Sequence, residues 1–319
     1  MNEWIQAILN VFTNPTFYKS TLTQSTPLIL AAMGGVFSET TGVTNIALEG
    51  IMLMGAFGGV MGSYFTGNPW YGLALGTFFG LAMAALHAWA SIKYGADQII
   101  SGTALILLAQ GITGFALVEL FGQPGSTDLV RSIPLVDLGS FKDVPFFGQI
   151  FGNLSPFVYM AFASVIFGWI LIYKTKLGLR MRSVGNNPEA ADTLGINIYN
   201  VRYFGVIMSG LFAALGGAYL SIGELGQFTT NMTNGRGFIA LAAMIIGNWN
   251  PVGAMSASLL FGAATAFNNQ LQSQSILNLS TNTQYIFGMI PYIITLIVVA
   301  GFIGKSRAPS ADGIPYIKE

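Results

Sequence analysis

Long apolar runs separated by short polar intervals fill most of this chain. The stretches 50–92 and 237–304 contain no Asp, Glu, Lys or Arg, and each is long enough for more than one bilayer-crossing segment of roughly 20 residues. The pattern predicts spans over 23–37, 50–65, 70–92, 98–118, 155–173, 203–223 and 284–303. Two further apolar stretches, 238–247 and 251–267, are separated by Asn248-Trp-Asn-Pro251. A helix over the first of these would rise only about 15 Å, too little for the hydrocarbon core, so a half-helix or re-entrant segment is expected there. The fold class that follows is an all-α polytopic membrane protein with about 8–10 segments, arranged as one transmembrane domain over 1–319.

The polar interval 174–202 stands apart from this background. It holds five basic and two acidic residues, whereas 144–173 and 203–223 hold no charged residue. By the positive-inside rule this loop, of net charge +3, is expected in the cytoplasm, and 119–143, of net charge −2, outside. Counting spans back then places the N-terminus outside, and Lys305 with Arg307 place the C-terminus inside.

Composition narrows the class further. Hydrophobic residues make up 53% of 319 positions and charged residues 8%, against about a quarter charged in soluble domains. Forty glycines suit close helix packing, and Gly72, Gly76 and Gly80 form a small-xxx-small ladder. Zero net charge leaves no nucleic-acid footprint. The chain has no cysteine, which removes disulfides and thiolate metal sites, and its single histidine, His87, cannot build a His-rich one. Packing or interfacial anchoring is the expected role of His87, and no metal site is expected. No cleavable signal peptide is apparent at the N-terminus.

The two halves echo each other. Ala31-Ala-Met-Gly-Gly35 matches Ala213-Ala-Leu-Gly-Gly217, and Pro69 with Phe79-Gly80 matches Pro251 with Phe261-Gly262, all at one offset of 182 residues. Ile46-Ala-Leu48 matches Ile239-Ala-Leu241 at a different offset. A repeat of this kind is found in many transporter folds, with the pathway near the repeat interface.

Candidate chemistry is sparse. Gly304-Lys-Ser306 looks like the end of a phosphate-binding loop, but Val299 stands where that loop needs glycine. The chain is therefore not expected to be an ATPase. Ion-coupled carriers place ionisable residues inside their spans, and the spans drawn above contain none. At their edges lie Glu39, Glu49 and Glu224. Glu49 reads either as a helix-terminal carboxylate favoured by the helix dipole or as a pathway residue. Asn45, Asn248 and Asn250 lie near helix breaks, where interhelical hydrogen bonding and a place along the translocation pathway are both open. No nucleophile motif points to an integral-membrane enzyme.

Three segments carry a resemblance: Ser38-Glu-Thr-Thr-Gly-Val-Thr-Asn-Ile-Ala-Leu-Glu-Gly50, the loop from Gly178 to Gly195, and Ile239-Ala-Leu-Ala-Ala-Met-Ile-Ile-Gly-Asn-Trp-Asn-Pro-Val-Gly-Ala254. In them the chain resembles permease subunits of bacterial ATP-binding-cassette importers, the class of ribose, branched-chain amino-acid and nucleoside systems. It looks most like the shorter nucleoside-type permease. The resemblance implies a multi-pass protein of the bacterial cell membrane, working with a cytoplasmic ATPase, a second and different permease and an extracellular substrate-binding lipoprotein. ATP and magnesium are then expected on the ATPase, with no cofactor on this chain. It also implies that the loop docks on the ATPase, which makes Arg180, Arg182, Asn186, Pro188, Glu189 and Gly195 the coupling candidates. Within that loop Asn187 can cap a short helix opened by Pro188, with Glu189 in its first turn and Gly195 past its last. A self-sufficient secondary carrier or channel for a small polar solute is the alternative. Aromatic residues are abundant, yet in spans they pack or face lipid, so they do not fix the substrate.

Overall fold

The computed structural model of the chain describes residues 9–273 and 307–317, with positions 289, 293, 296, 300 and 301 between them. Apart from those five positions, the expected span 284–303 and the Gly304-Lys-Ser306 stretch lie outside the described residues. Helix α1 (Pro15–Thr40) starts where Asn14 accepts from the Thr16 N–H at 2.9 Å and Pro15 presets the first turn. It ends at Gly42, whose φ of +82° turns the chain back inward. Helices α2 (Leu48–Thr66), α3 (Pro69–Ala88, continued by a π turn over Trp89–Lys93) and α4 (Gln98–Phe121) follow. Left-handed Gly67 ends α2 and left-handed Gly122 ends α4, while Asn68 and Asp97 cap the starts of α3 and α4.

A polar segment then carries the strand pair β1 (Val136–Asp137) and β2 (Asn153–Leu154), with α5 (Phe147–Phe151) between them. Helix α6 (Pro156–Lys174) leads into α7 (Lys176–Asn186) and α8 (Pro188–Thr193). The long α9 (Ile198–Ala218) continues as a π turn over Tyr219–Leu225, and α10 (Arg236–Ile246) and α11 (Pro251–Ser273) complete the order. Five helices among the described residues, those starting at Leu48, Pro69, Gln98, Pro156 and Ile198, are long and apolar enough to cross a membrane. This is an all-α polytopic membrane protein. The expected half-helix is α10, only 11 residues long.

The helices alternate in direction. One end of the bundle, the loop end, carries α7 and α8, and the segment 123–155 marks the far end. Helix α1 runs from the far end, where Tyr18 packs on Phe146, to the loop end, where the Thr40 carbonyl meets Gly185. Helix α9 runs the opposite way against it: a Cβ on Gly34 would lie 2.7 Å from the Ser209 carbonyl oxygen, and one on Gly216 3.0 Å from that of Pro27. Such approaches tolerate no side chain, which is why glycine stands there. The predicted ladder packs in the same way, with Gly72 and Gly76 of α3 against the Gly55–Ser63 face of α2 and Gly80 against Ala214.

These directions are the ones an inverted repeat has. Units α1–α2–α3 and α9–α10–α11 run oppositely and interlock, since α3 packs on α9 and α11 on α1. Their third helices begin alike: Asn68 accepts from the Trp70 N–H at 3.0 Å, and Asn250 accepts from the Val252 N–H at 2.9 Å. We expect Asn250→Ala to cost about 1 kcal/mol, the usual worth of an N-cap, read as a lowered thermal midpoint of the purified protein. An unchanged midpoint would show that Pro251 alone starts α11.

Candidate functional site

At the loop end, local sequence builds a structured surface. Thr175 accepts from the Gly178 N–H at 3.1 Å, opening α7 one residue after α6 closes. Gly178 sits on the backbone of Leu171 and Ile172, so the turn between the helices is tight. Asn187 accepts from the Ala190 N–H at 3.0 Å, Pro188 opens α8, and Glu189 lies in its first turn. Gly195 is left-handed at φ +76°, and its N–H donates to the Asp192 carbonyl at 2.8 Å. The caps read from sequence are those the structure uses, and α7 adds a helix where sequence suggested loop.

The coupling candidates divide between two faces. Arg180, Glu189 and Gly195 are exposed on one, as are Leu179 and Leu194 at 62% and 79%. Arg182 instead turns inward, its guanidinium 5.2 Å from the Tyr173 ring centre. It lines a cavity of about 270 Å³ together with Asn186, which is also exposed, and with Thr40, Tyr173, Asn248, Trp249 and Arg307. Two of the pathway candidates are therefore at the loop end beside Arg182. The Asn248 side chain accepts from the Arg307 N–H at 2.8 Å, and the Asn250 amide donates to the Tyr173 hydroxyl at 3.3 Å.

A strap formed by residues 307–317 ties this end together. The Ala311 N–H donates to the Gly185 carbonyl of α7 at 2.9 Å, and the Tyr316 hydroxyl donates to Asp192 of α8 at 3.0 Å. Arg202 of α9 donates to the Ile314 carbonyl at 3.0 Å. Sequence reasoning placed Arg202 in the polar loop. The structure corrects this: it lies in the second turn of α9 at 1% exposure. The strap supplies its counter-charge in Asp312, whose carboxyl burial pushes up to about 6. Glu39 adjoins Asp312 and accepts from the Trp249 indole N–H at 2.6 Å. One cluster thus joins α1, α9, the α10–α11 turn and the strap. The bare sequence gave no signal for it, because its members are spread from Glu39 to Asp312.

Asn45 and Glu49 lie deeper. Gly50 packs on Ile106, eight residues into α4 and about 12 Å along its axis, so α2 begins inside the bundle. Asn45 is fully buried and donates to the Ser209 hydroxyl at 2.9 Å. Glu49, 6% exposed, accepts from the N–H groups of Gly235 at 2.8 Å and Gly237 at 2.6 Å. It stands in the first turn of α2 while capping α10, so one carboxylate serves two helix N-termini. His87 is likewise buried, within 3.1 Å of both the Ser101 hydroxyl and the Thr44 carbonyl, a packed residue as expected.

A family model described as branched-chain amino acid transport system / permease component matches residues 17–299. Among curated proteins, the chain is 41% identical to the nucleoside ABC transporter permease protein NupC of Lactococcus lactis subsp. cremoris, covering 93% of this chain and 95% of that one. It is also 41% identical to the guanosine ABC transporter permease protein NupQ of Bacillus subtilis, over 94% and 95%. The putative glucose ABC transporter permease protein TsgC13 of Haloferax volcanii is 37% identical over 81% of this chain and 77% of that one.

Proposed function

Because the chain belongs to the branched-chain amino acid transport system / permease component family, we propose that it is a permease subunit that carries nucleosides inward, driven by ATP hydrolysed on a separate chain. The observation that carries the coupling half of this reading is the α7–α8 surface. It is held by caps of its own, seated on backbone of α1 and α6, and it presents Leu179, Arg180, Glu189 and Leu194 outward. A loop serving only to fix topology needs none of this construction. Exposed leucines beside exposed charges are the composition of a docking surface, here for the cytoplasmic ATPase that holds ATP and magnesium. Arg180 and Glu189 meet that partner, Pro188 and Gly195 fix the helix between them, and Asn186 joins α7 to α8.

The nucleoside half rests on relatives 41% identical over nearly the whole chain, whose names specify nucleoside and guanosine transport. A second, different permease completes the path in this reading and covers the irregular backbone before α10, which cannot be left against lipid. A binding lipoprotein outside delivers the solute to the far end.

The test is reconstitution in vesicles. The purified chain alone is expected to hydrolyse no ATP, and labelled guanosine is expected to accumulate only when ATPase, second permease and ATP are all present. Uptake by this chain alone, or ATP turnover that survives removal of every other subunit, would overturn the proposal.

A further inference from the structure

Between the far end of α9 and the start of α10 the chain descends into the bundle without helix. Gly226 accepts through its carbonyl from the Val130 N–H at 2.7 Å, Phe228 packs on Phe57 at 5.2 Å between ring centres, and Gly235 reaches Glu49. Phe57 and Glu49 are α2 residues successively nearer its inner end, so residues 229–236 run from the far end, where the Thr230 N–H donates to the Gly125 carbonyl at 2.8 Å, down to the depth of Glu49. They read Thr-Thr-Asn-Met-Thr-Asn-Gly-Arg. Asn231 and Asn234 hold left-handed backbone at φ +55° and +45°, which asparagine tolerates better than most residues.

Both side chains are exposed, and neither has a hydrogen-bond partner among the described residues. Around them stand Arg236, half-buried and held by the Met232 carbonyl at 3.0 Å, and Glu224, exposed and within electrostatic reach of Arg236. Gln24 of α1 donates to Glu224 at 3.0 Å.

Irregular backbone with exposed amides does not persist against lipid, where each unmet polar group costs several kcal/mol; it is tolerated where it lines water. We propose that Asn231 and Asn234, with Glu224, Gln24 and Arg236, line the solute path on the far side of Glu49 and bind the solute there. The chemistry fits a neutral solute rich in paired donors and acceptors. Each amide offers a donor and an acceptor side by side, as the edge of a nucleobase requires, and Glu224 can accept from ribose hydroxyls. Glu224 and Arg236 balance in charge, so the lining does not select an ion. The path follows from geometry, whereas the nucleoside as occupant rests on the function proposed above.

The chain has no native cysteine, so Asn231→Cys and Asn234→Cys can be probed without background in the assembled transporter. A charged, water-soluble methanethiosulfonate is expected to label both and block uptake, and to spare Phe115→Cys, an exposed apolar position on α4. Guanosine is expected to protect both cysteines. Asn231→Ala and Asn234→Ala are each expected to raise the KM for guanosine about tenfold with assembly unchanged. Failure of the reagent to reach 231 and 234, or labelling with full uptake, overturns the path. Labelling and block with protection by a sugar or amino acid but not guanosine would uphold the path and overturn the nucleoside reading alone.

Discussion

Glu49→Ala is expected to abolish a stably folded, transport-competent protein while leaving insertion of the separate spans intact. Two backbone N–H groups, from half-buried Gly235 and buried Gly237, end on this one carboxylate. Losing a charged acceptor costs roughly 1–3 kcal/mol at the buried Gly237 donor and less at half-buried Gly235, and the start of α10 loses its stabilising negative charge as well. Against a total stability of about 5–15 kcal/mol, such a loss removes a large share. Glu49→Gln sharpens the test, because its amide nitrogen must face one of the two donors and only one bond survives. The expected order of thermal midpoints is wild type, then Gln, then Ala, with faster hydrogen exchange over Arg236–Ile246 in both variants. Equal midpoints, or exchange changes confined to α2, would show that α10 is held by packing rather than by this cap.

Most of the fold was legible because bilayer spans announce themselves by length and apolarity alone. The half-helix was legible for the same reason in reverse, since ten apolar residues before Asn248-Trp-Asn-Pro251 cannot cross. The caps of α8 could be read because capping is local chemistry: Asn187, Pro188 and Gly195 are within a few residues of the groups they satisfy. What sequence could not supply was depth. Asn45 and Asn248 looked equivalent as amides beside helix breaks, yet one is buried against Ser209 and the other is at the loop end against Arg307.

Arg202 was misplaced for a related reason. It adjoins a polar loop in sequence, and only the strap from 307 to 317 makes its burial affordable by bringing Asp312 and the Ile314 carbonyl to it. The polar segment 229–236 went unremarked because its residues resemble any surface loop until Gly235 is seen to reach Glu49. Local rules therefore recovered α8, whereas α7 and the return of 229–236 toward Glu49 appear only in the tertiary structure.

Combining Arg180→Glu with Leu194→Asp is expected to abolish ATP-driven uptake and co-purification with the ATPase, while thermal stability of the permease changes little. Both side chains are exposed, and surface substitutions away from special features usually shift stability by no more than about 0.5 kcal/mol. At a docked interface the accounting differs. A leucine passing from exposed to buried contributes about 1.5–3 kcal/mol, and a charged hydrogen bond from Arg180 a further ~1.5–3 kcal/mol. Losing both weakens association by roughly a thousandfold, at tenfold for each ~1.4 kcal/mol. Arg182→Glu supplies the contrast, because Arg182 packs on Tyr173 inside the cavity. Its reversal is expected to lower the thermal midpoint of the isolated permease, which the surface pair leaves in place. Normal assembly and uptake in the Arg180/Leu194 variant would sink the docking reading of α7 and α8. A midpoint that falls equally in both variants would mean that the exposed face is part of the fold and not a surface kept for a partner.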